Sequence, residues 1–333
     1  MTERRRDPTT GEWRVFASHR QDRTFLPPAD HCPLCPTRPG GEPTEIPLES
    51  FDVVVFDNRF PSLVADPPDP DVPTSDLYGV APALGAAEVV VYSDDHHLEM
   101  AQMEVGKIAR IVGVWADRYA ELGAREEIAY VLIFENRGEA IGVTLHHPHG
   151  QIYAFPEVPP RPALELAAAS AHFEAHGTCV FCDVVARERA DGVRIVAENG
   201  SFLAFVPFAA RWPYEVHVIS HRHAASLIDL TDPERLELAR LLREVLGAYD
   251  GLFEFRLPYV MAMHQAPTDD GQWQHVSHLH LEFMPPHRTA TKLKYLAGSE
   301  LGGGAFISDV RPETASARLR EAAARAGTGG ALP

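Results

Sequence analysis

The 333-residue chain carries the same series of sequence features twice. Each series begins with two cysteines that are separated by two residues, Cys32-Pro-Leu-Cys35 in the first half and Cys179-Val-Phe-Cys182 in the second. Two strand-like segments, a polar corner with histidines, a helical segment and two further strand-like segments follow in both halves. A repeat of this length predicts a duplicated α+β domain with a mainly antiparallel β-sheet flanked by helices, and it argues against a solenoid of short repeats.

Hydrophobic periodicity predicts the individual elements. Apolar residues spaced by three and four predict one helix between Val105 and Leu122, and Thr231-Asp-Pro-Glu234 has the spacing of a capping box that begins a second helix. A third helix is predicted near the C-terminus, between Pro312 and Arg325. The strand-like segments are 52–56, 88–92, 129–134, 151–155, 202–208, 215–220, 259–264 and 278–283.

Prolines mark the predicted connections between these elements. The segment Phe155-Pro-Glu-Val-Pro-Pro-Arg-Pro162 is stiffened by four prolines and is the predicted connector between the halves. Two domains are therefore expected, an N-terminal one over residues 1–160 and a C-terminal one over residues 161–333. The proline-rich stretch from Pro61 to Pro82 is predicted to be an excursion on the surface.

Composition limits the class of protein. Hydrophobic residues make up 45% and charged residues 23% of the chain, as in globular proteins. The formal net charge of −17, with Arg4-Arg5-Arg6 as the one short basic cluster, argues against a nucleic-acid binder. No apolar stretch approaches the roughly 20 residues that span a bilayer, and no apolar segment follows the N-terminal charges. We therefore expect a cytoplasmic protein without a membrane partner.

The first cysteine pair is a predicted metal site. In a reducing compartment, a pair with this spacing is more typical of metal ligation than of a disulfide. Zn²⁺ favours four ligands drawn from cysteine and histidine, and histidines from two later segments can complete such a set. Of the two histidines in Asp95-His96-His97, the first is preferred as a ligand. The predicted structural zinc site consists of Cys32, Cys35, His96 and His147.

His149 is not used by this metal site and is the predicted nucleophile. Alternate side chains of an extended segment share one face, so His147, His149 and Gln151 point the same way. A metal ion bound to His147 would fix the backbone that presents His149. Neutral imidazole can attack phosphorus and later depart as a leaving group, and the Gln151 amide can donate a hydrogen bond to phosphoryl oxygens.

The segment Phe134-Glu-Asn-Arg-Gly-Glu-Ala-Ile-Gly-Val-Thr-Leu-His-His-Pro-His-Gly-Gln151 resembles the active-site segment of galactose-1-phosphate uridylyltransferases, which belong to the histidine-triad superfamily. Three other segments are also similar to this family: Asp7-Pro-Thr-Thr-Gly-Glu-Trp13, Asp57-Asn-Arg-Phe-Pro61 and His278-Leu-His-Leu-Glu-Phe-Met-Pro-Pro286. The resemblance extends over nearly the whole chain. It implies that both halves are histidine-triad-like domains.

The resemblance also implies the activity, that of a UDP-glucose:hexose-1-phosphate uridylyltransferase of galactose metabolism. In the reaction that it implies, His149 attacks the α-phosphorus of UDP-glucose and glucose-1-phosphate departs. Galactose-1-phosphate then takes the uridylyl group from His149, which gives UDP-galactose, and no catalytic metal takes part. By analogy with the family, the chain is expected to form a homodimer with active sites near the subunit contact.

A set of substrate contacts follows from the same resemblance. The arginines of this set would meet substrate phosphates through their guanidinium groups. The implied substrate-binding residues are Arg20 and Arg23 for phosphates, Asn58 for uridine, Asn136 and Thr144 with Gln151 for the transferred phosphate, and Lys294 and Glu300 for the sugar phosphate. The chain departs from the family pattern at Arg59, at Ser299 and over residues 302–309. These departures affect the implied contacts to the base and the hexose rather than the implied chemistry.

The second half is expected to be structural, because Glu282 stands where the first half has Gln151. Two sets of residues compete as a second metal site, for Zn²⁺ or for iron. The preferred set, which resembles the zinc site of small histidine-triad proteins, consists of Cys179, Cys182, His223 and His278. The alternative set, implied by other relatives, consists of Glu165, His264, His278 and His280. His278 cannot serve both sets fully.

Three other functions compete with the transferase. A nucleoside-diphosphate-sugar or dinucleotide phosphorylase, or an adenylyltransferase, of the same superfamily also keeps glutamine at the position of Gln151 and differs in its acceptor. A hydrolase generally has histidine there, so Gln151 favours a transferase that protects its intermediate from water. A zinc-organised binding module without catalysis would leave Asn136, His149 and Gln151 without a role.

Overall fold

The computed structural model describes residues 2–22, 26–28 and 31–327 of the chain. Its largest element is a nine-stranded sheet in which every neighbouring pair is antiparallel. Its strands in chain order are β3 (Val54–Asp57), β5 (Ala86–Val91), β6 (Tyr130–Arg137), β7 (His149–Phe155), β8 (Ile195–Glu198), β9 (Phe202–Phe205), β10 (Val216–Ser220), β11 (Tyr259–His264) and β12 (His280–Met284). Their order across the sheet is β3-β5-β7-β6-β11-β12-β10-β9-β8.

Two small sheets accompany the large one. A three-stranded sheet consists of β1 (Thr2–Arg6), β2 (Trp13–Ala17) and β4 (Val80–Pro82), and a short hairpin consists of β13 (His287–Thr289) and β14 (Lys292–Leu293). The sequence did not predict β1 and β2. The interpretation of 61–82 as a surface excursion is wrong at its end, where β4 pairs with β1 and so gains backbone hydrogen bonds.

Five helices flank the sheet in the described part of the chain, and this confirms the predicted fold class, α+β with a mainly antiparallel sheet. They are α1 (Val105–Gly123), α2 (Pro160–His176), α3 (Val180–Asp191), α4 (Asp232–Leu252) and α5 (Pro312–Gly327). The predicted capping box begins α4, because the Thr231 side chain accepts from the backbone N–H of Glu234 and the Glu234 carboxylate accepts from that of Thr231. None of these helices combines the length and the apolar composition needed to cross a membrane.

Helices α1 and α4 cover one face of the sheet. Trp115 of α1 and Leu242 of α4 are buried in one continuous apolar core with residues of the strands, such as Val90 and Ile152. The predicted C-terminal helix, α5, packs against α4 through buried Leu319. A single core therefore lies beneath both predicted halves of the chain.

Both halves contribute to the same sheet, which is joined at its centre by the pairing of β6 with β11. Phe134 of β6 lies opposite Gln151 on one side and Ala262 of β11 on the other, and Ala262 lies opposite Glu282. The residues in register across this central row are Phe56, Val89, Gln151, Phe134, Ala262, Glu282, His217 and Phe205. An approximate twofold relation about the β6–β11 pair thus places Gln151 and Glu282 at equivalent positions.

Several predicted boundaries shift in the structure, each at a proline or at a backbone N–H that donates elsewhere. The predicted connector 155–162 is shorter because α2 begins at Pro160, where the first helical turn requires no N–H donor. β9 ends at Phe205, three residues before its predicted end, since Pro207 cannot donate to a ladder and Phe208 is exposed. β12 begins at His280 rather than at His278, because the N–H of Leu279 donates to the carbonyl of Ala224.

A buried polar network joins the two halves beneath the sheet. Tyr259 of β11 donates its hydroxyl hydrogen to the carboxyl group of Glu135 of β6 at 2.6 Å. Burial raises the pKa of Glu135 to about 7. Next to this pair, the Arg137 guanidinium binds Asp250 of α4 and donates to the carbonyl of Leu257. Because these groups are buried, their pairing fixes how the first half meets the second.

Candidate active site and metal centres

The sheet face opposite α1 and α4 carries the candidate functional residues. Val90 of β5 points into the helix-side core, whereas its neighbours Val89 and Val91 pack against the segment that holds Cys32 and Leu34. Side chains in register with Val89 and Val91, among them Gln151 and His149, therefore lie on the same side as the cysteines. We call this side the cysteine face.

The four residues of the first predicted zinc site come together on the cysteine face. The Cys35 Sγ lies 3.4 Å from His96 Nδ1 and 3.5 Å from His147 Nδ1, and the Cys32 Sγ lies 3.9 Å from His147 Nδ1. A tetrahedral zinc ion with bonds of about 2.3 Å to sulfur and about 2.0 Å to nitrogen holds such atoms roughly 3.6 Å apart. The four donors therefore fit a metal ion of this kind.

Hydrogen bonding sets the tautomer of His147. Its Nε2–H donates to the carbonyl of Ser93 at 2.8 Å, which leaves the lone pair of Nδ1 directed at the two thiols. Burial lowers the pKa of His147 to about 4, so the imidazole is neutral, as a metal ligand must be. Burial also raises the pKa of the Cys35 thiol to about 12, and a bound cation would oppose this shift by stabilising the thiolate.

The second cysteine set reproduces this arrangement. The Cys182 Sγ lies 3.5 Å from His223 Nδ1 and 3.6 Å from His278 Nδ1, and the Cys179 Sγ lies 3.9 Å from His278 Nδ1. The Nε2–H of His278 donates to the carbonyl of Ser220 at 3.0 Å, as that of His147 does to Ser93. The same donor geometry fits a second tetrahedral metal ion.

The alternative second set does not assemble as predicted, since His278 faces the cysteines. Glu165, His264 and His280 are nevertheless close together: His264 Nδ1 lies 2.6 Å from a Glu165 carboxylate oxygen, and His280 Nε2 lies 3.8 Å from the same oxygen. Their fourth neighbour is Glu282 rather than His278. The conflict over His278 therefore disappears, because the two groups of donors share no residue.

His149 is held in one tautomer by its own backbone. Its Nδ1–H donates to the carbonyl of His147 at 2.7 Å, which leaves the lone pair on Nε2. Burial lowers the pKa of His149, although the bond to the carbonyl of His147 acts in the opposite direction. A neutral imidazole with one available ring nitrogen is the form that acts as a nucleophile.

Two cavities meet at His149. The smaller has a volume of about 100 Å³ and includes Asn58, Thr144 and Gln151 in its lining, together with the rings of Phe56 and Phe60. The larger has a volume of about 740 Å³ and includes Asn136. Every residue that the resemblance assigns to uridine or to the transferred phosphate thus lines a cavity that also reaches His149.

The remaining predicted contacts are placed differently. Arg20 Nη1 donates to the Tyr153 hydroxyl at 2.9 Å and to the carbonyl of Phe60, a residue that lines the smaller cavity, at 3.4 Å. Arg23 lies outside the described residues. Lys294 and Glu300 form a buried ion pair with 2.8 Å between Nζ and Oε1, and neither lines a cavity that reaches His149.

A charged cluster around Glu282 was missed by the sequence analysis. Arg211 donates to the Glu282 carboxylate at 2.6 Å, and His217 Nε2 lies 3.3 Å from its other oxygen and 3.0 Å from Glu215. Arg211, Glu215 and His217 carry no motif of their own, and only the alternation of side chains along 215–220 could have placed His217 on the cysteine face. The cluster neutralises the carboxylate that replaces Gln151.

Comparison with known proteins gives a consistent result. Residues 1–159 match the family described as galactose-1-phosphate uridyl transferase, N-terminal domain, and residues 165–327 match its C-terminal domain. The chain is 40% identical to a galactose-1-phosphate uridylyltransferase of Thermotoga maritima, over 96% of this chain and 98% of that protein. It is 38% identical to a galactose-1-phosphate uridylyltransferase of Streptomyces lividans, over 97% and 87% of the two chains.

Solved structures agree with these matches. A structure described as a uridylyltransferase superposes with a TM-score of 0.87 at 38% identity and covers 97% of this chain and 99% of that one. An ADP-glucose phosphorylase from Arabidopsis thaliana superposes with a TM-score of 0.74 at 24% identity, over 96% of this chain and 98% of that one. The second likeness concerns the fold alone.

Close packing at Gly150, between His149 and Gln151, gives a first test of this geometry. A Cβ at this position would lie 2.2 Å from the hydroxyl oxygen of buried Tyr92. We expect Gly150→Ala to lower the free energy of unfolding by about 1–3 kcal/mol, because β7 and the Tyr92 ring must move apart. Tyr92→Phe removes the obstructing oxygen and should recover part of this loss in the double variant. Urea unfolding of the single and double variants measures both effects.

The matched control is Gly247→Ala within α4, where a Cβ meets no atom within 4 Å. This change should leave the protein as stable or make it slightly more stable, since alanine favours a helix over glycine. If Gly150→Ala has the same urea midpoint of unfolding as the wild-type protein, the packing described for β7 is contradicted.

Proposed function

Because the chain belongs to the galactose-1-phosphate uridylyltransferase family, we propose that it transfers a uridylyl group from UDP-glucose to galactose-1-phosphate. The observation that carries this proposal is the state of His149. Its Nδ1–H is bound to a backbone carbonyl, its Nε2 keeps the lone pair, and its side chain lies where two cavities meet. A carrier of a transferred group requires such a nucleophile, accessible first to the donor and then to the acceptor.

The proposed reaction has two steps, and the geometry of His149 supports the first. His149 Nε2 attacks the α-phosphorus of UDP-glucose, the bond from that phosphorus to the bridging oxygen breaks, and glucose-1-phosphate leaves with the bonding electrons. A phosphate oxygen of galactose-1-phosphate then attacks the same phosphorus, and the N–P bond breaks to release UDP-galactose. Nδ1 keeps its proton throughout, and the His147 carbonyl stabilises the positive charge of the uridylylated ring.

The two cavities have different roles in this proposal. The smaller one, lined by Asn58 and by the rings of Phe56 and Phe60, takes the uracil ring. At about 100 Å³ it holds less than a whole nucleotide, so the ribose and phosphates extend toward His149 and the larger cavity. The Gln151 amide and the Thr144 hydroxyl on one side, and the Asn136 amide on the other, are the proposed donors to the transferred phosphate.

Labelling of His149 tests the proposed chemistry. We expect incubation with UDP-glucose that is radiolabelled in the uridylyl group to leave label on the protein, with the acid lability of a phosphoramidate. His149→Ala should abolish this label. His172→Ala is the matched control, because this histidine is bound to Asp183 in the second half and should keep full labelling. Label that persists in His149→Ala would refute the assignment.

The identity of the acceptor distinguishes a transferase from a phosphorylase and from a hydrolase. Labelled protein should transfer its uridylate to galactose-1-phosphate far faster than to inorganic phosphate or to water. Release by inorganic phosphate alone would instead identify a phosphorylase, and release in buffer alone a hydrolase.

We further propose that each cysteine set holds a structural Zn²⁺, with iron as the alternative occupant of the second. The distances between donor atoms and the hydrogen bonds from His147 and His278 to backbone carbonyls support this assignment. We place the protein in the reducing cytoplasm, where cysteine pairs of this spacing are more typical of metal ligation than of disulfides, and fractionation of the source cells tests this location. Zn²⁺ at the first set would fix His147 and thereby the backbone that presents His149.

Metal analysis of purified variants tests both sites. We expect two metal ions per chain, and we expect Cys32→Ser and Cys179→Ser each to remove one, because serine is a poor zinc ligand. Glu165→Gln serves as the comparison and should keep both ions. If Cys179→Ser leaves the metal content unchanged while Glu165→Gln lowers it, the second metal lies in the glutamate and histidine group instead.

We also propose that the protein acts as a homodimer in which one subunit completes the site of the other. The supporting observation is that Lys294 and Glu300 line neither cavity that reaches His149 in their own chain. A twofold contact could bring them to the partner's site, since such a contact presents the same surface of both subunits.

Mixing two inactive variants tests this arrangement. His149→Ala and Glu300→Gln should each be nearly inactive as homodimers. After unfolding and refolding together, mixed dimers should contain one intact site and regain roughly a quarter of the wild-type activity. The control is a mixture of the two variants that have been refolded separately, so that no mixed dimers form. A mixture that stays inactive despite proven exchange would show that each site is built from one chain.

A further inference from the structure

The second half contains a cavity that the proposed function does not use. It has a volume of about 510 Å³, within the range of small-molecule sites, and lies between α3 and strands β9, β10 and β12. Its walls are mainly apolar and include the rings of Phe181, Phe205 and Phe208 with the side chains of Val184 and Ile219. Phe208 is 75% exposed, so its ring is accessible to a ligand at the cavity.

The position of this cavity is equivalent to that of the small cavity beside His149. In the first half, Phe56 lies in register with Val89 and Gln151. In the second half, Phe205 lies in register with His217 and Glu282, at the same distance from the centre of the sheet.

The elements above the sheet correspond as well. Leu34, inside the first cysteine pair, lines the first cavity, and Phe181, inside the second pair, lines the second. His149 and His280 each reach their cavity, and each donates from Nδ1 to the carbonyl two residues earlier. The duplicated architecture has therefore preserved a ring-binding cavity at both positions.

Charge defines what this second cavity can accept. The charged residues in its wall are paired with one another: Arg187 with Asp191 at 3.0 Å, and Arg194 with Glu188 at 2.9 Å. The Arg194 guanidinium also lies over the Phe208 ring, 5.2 Å from its centre. A neutral planar ring suits such a wall, because it requires no counter-charge and stacks on aromatic side chains and guanidinium planes.

A phosphate is disfavoured at the inner end of the cavity. His217 and His280 line this end of the cavity. Behind them, Glu282, which replaces Gln151, lies 3.3 Å from His217 Nε2, and Glu165 lies 3.8 Å from His280 Nε2. Both carboxylates are paired with arginines, Glu282 with Arg211 and Glu165 with Arg161, so these cations are engaged with protein carboxylates rather than directed at a bound phosphate. The second cavity thus keeps the ring-binding part of the first site and loses the phosphate-binding part.

We propose that this cavity binds a neutral nucleoside through its base, without chemistry at His280. This inference rests on the proposed role of the first cavity as the uracil pocket. It assigns to the second half a binding site of its own, in addition to the structural role of its cysteine set.

Equilibrium dialysis with radiolabelled uridine and, separately, adenosine tests the proposal. We expect the wild-type protein to bind two equivalents of at least one nucleoside at saturation, one at each cavity. Val184→Trp places an indole in the mouth of the second cavity and should leave one equivalent. Phe208→Ala removes an exposed ring and should weaken the second equivalent roughly tenfold, as the loss of one stacking partner does.

Leu164→Trp is the matched control, because Leu164 is an exposed apolar residue on α2 and does not line this cavity. It should keep both equivalents. Saturation of the wild-type protein at one equivalent or fewer, or two equivalents bound by Val184→Trp, would overturn the proposal. Labelling of His149 from UDP-glucose is measured in the same samples. If the wild-type protein is not labelled, the proposed function is contradicted. If labelling is normal but no second equivalent of nucleoside binds, only this inference is contradicted.

Discussion

The pairing of β6 with β11 is the interaction on which the rest of the structure depends. It joins two similar halves into one antiparallel sheet, so that both cysteine sets and both His-x-His segments lie on one face while α1 and α4 cover the other. The buried hydrogen bond from Tyr259 to Glu135 and the ion pair of Arg137 with Asp250 lie beneath this pairing. Removal of one member of either pair would leave its partner buried without a hydrogen-bonding group, which is costly.

On this shared scaffold, the two halves differ by a few side chains at equivalent positions. Gln151 in the first half can donate to a phosphate, whereas Glu282 in the second is a carboxylate held by Arg211 and His217. Both halves retain the histidine whose Nε2–H is bound to a serine carbonyl and whose Nδ1 faces two cysteines. Structural features have thus been kept in both halves, and the arrangement suited to nucleotidyl transfer is present in one.

Local patterns in the sequence predicted much of this architecture, and long-range pairing explains what they missed. The periodicity of α1 and the capping box of α4 act within one turn of helix, so the sequence alone could reveal them. Strands β1, β2 and β4 were missed or misread because short strands of a small sheet are defined by their partners rather than by their own composition. The Arg211 and His217 contacts to Glu282 were missed for the same reason, since the residues lie 71 and 65 positions from Glu282 in the chain.

The sequence by itself determined the family, and it indicated His149 as the proposed nucleophile and the cysteine pairs as proposed metal ligands, because these depend on residue types at fixed spacings along the chain. It left His278 between two competing sets. Only the tertiary structure decided that His278 lies with the cysteines of the second half. It also placed Glu282, instead of His278, beside Glu165, His264 and His280. Lys294 and Glu300 pair with each other and line neither cavity at His149. These outcomes depend on which backbone carbonyl orients each imidazole and on which strands become neighbours, and spacing along the chain specifies neither.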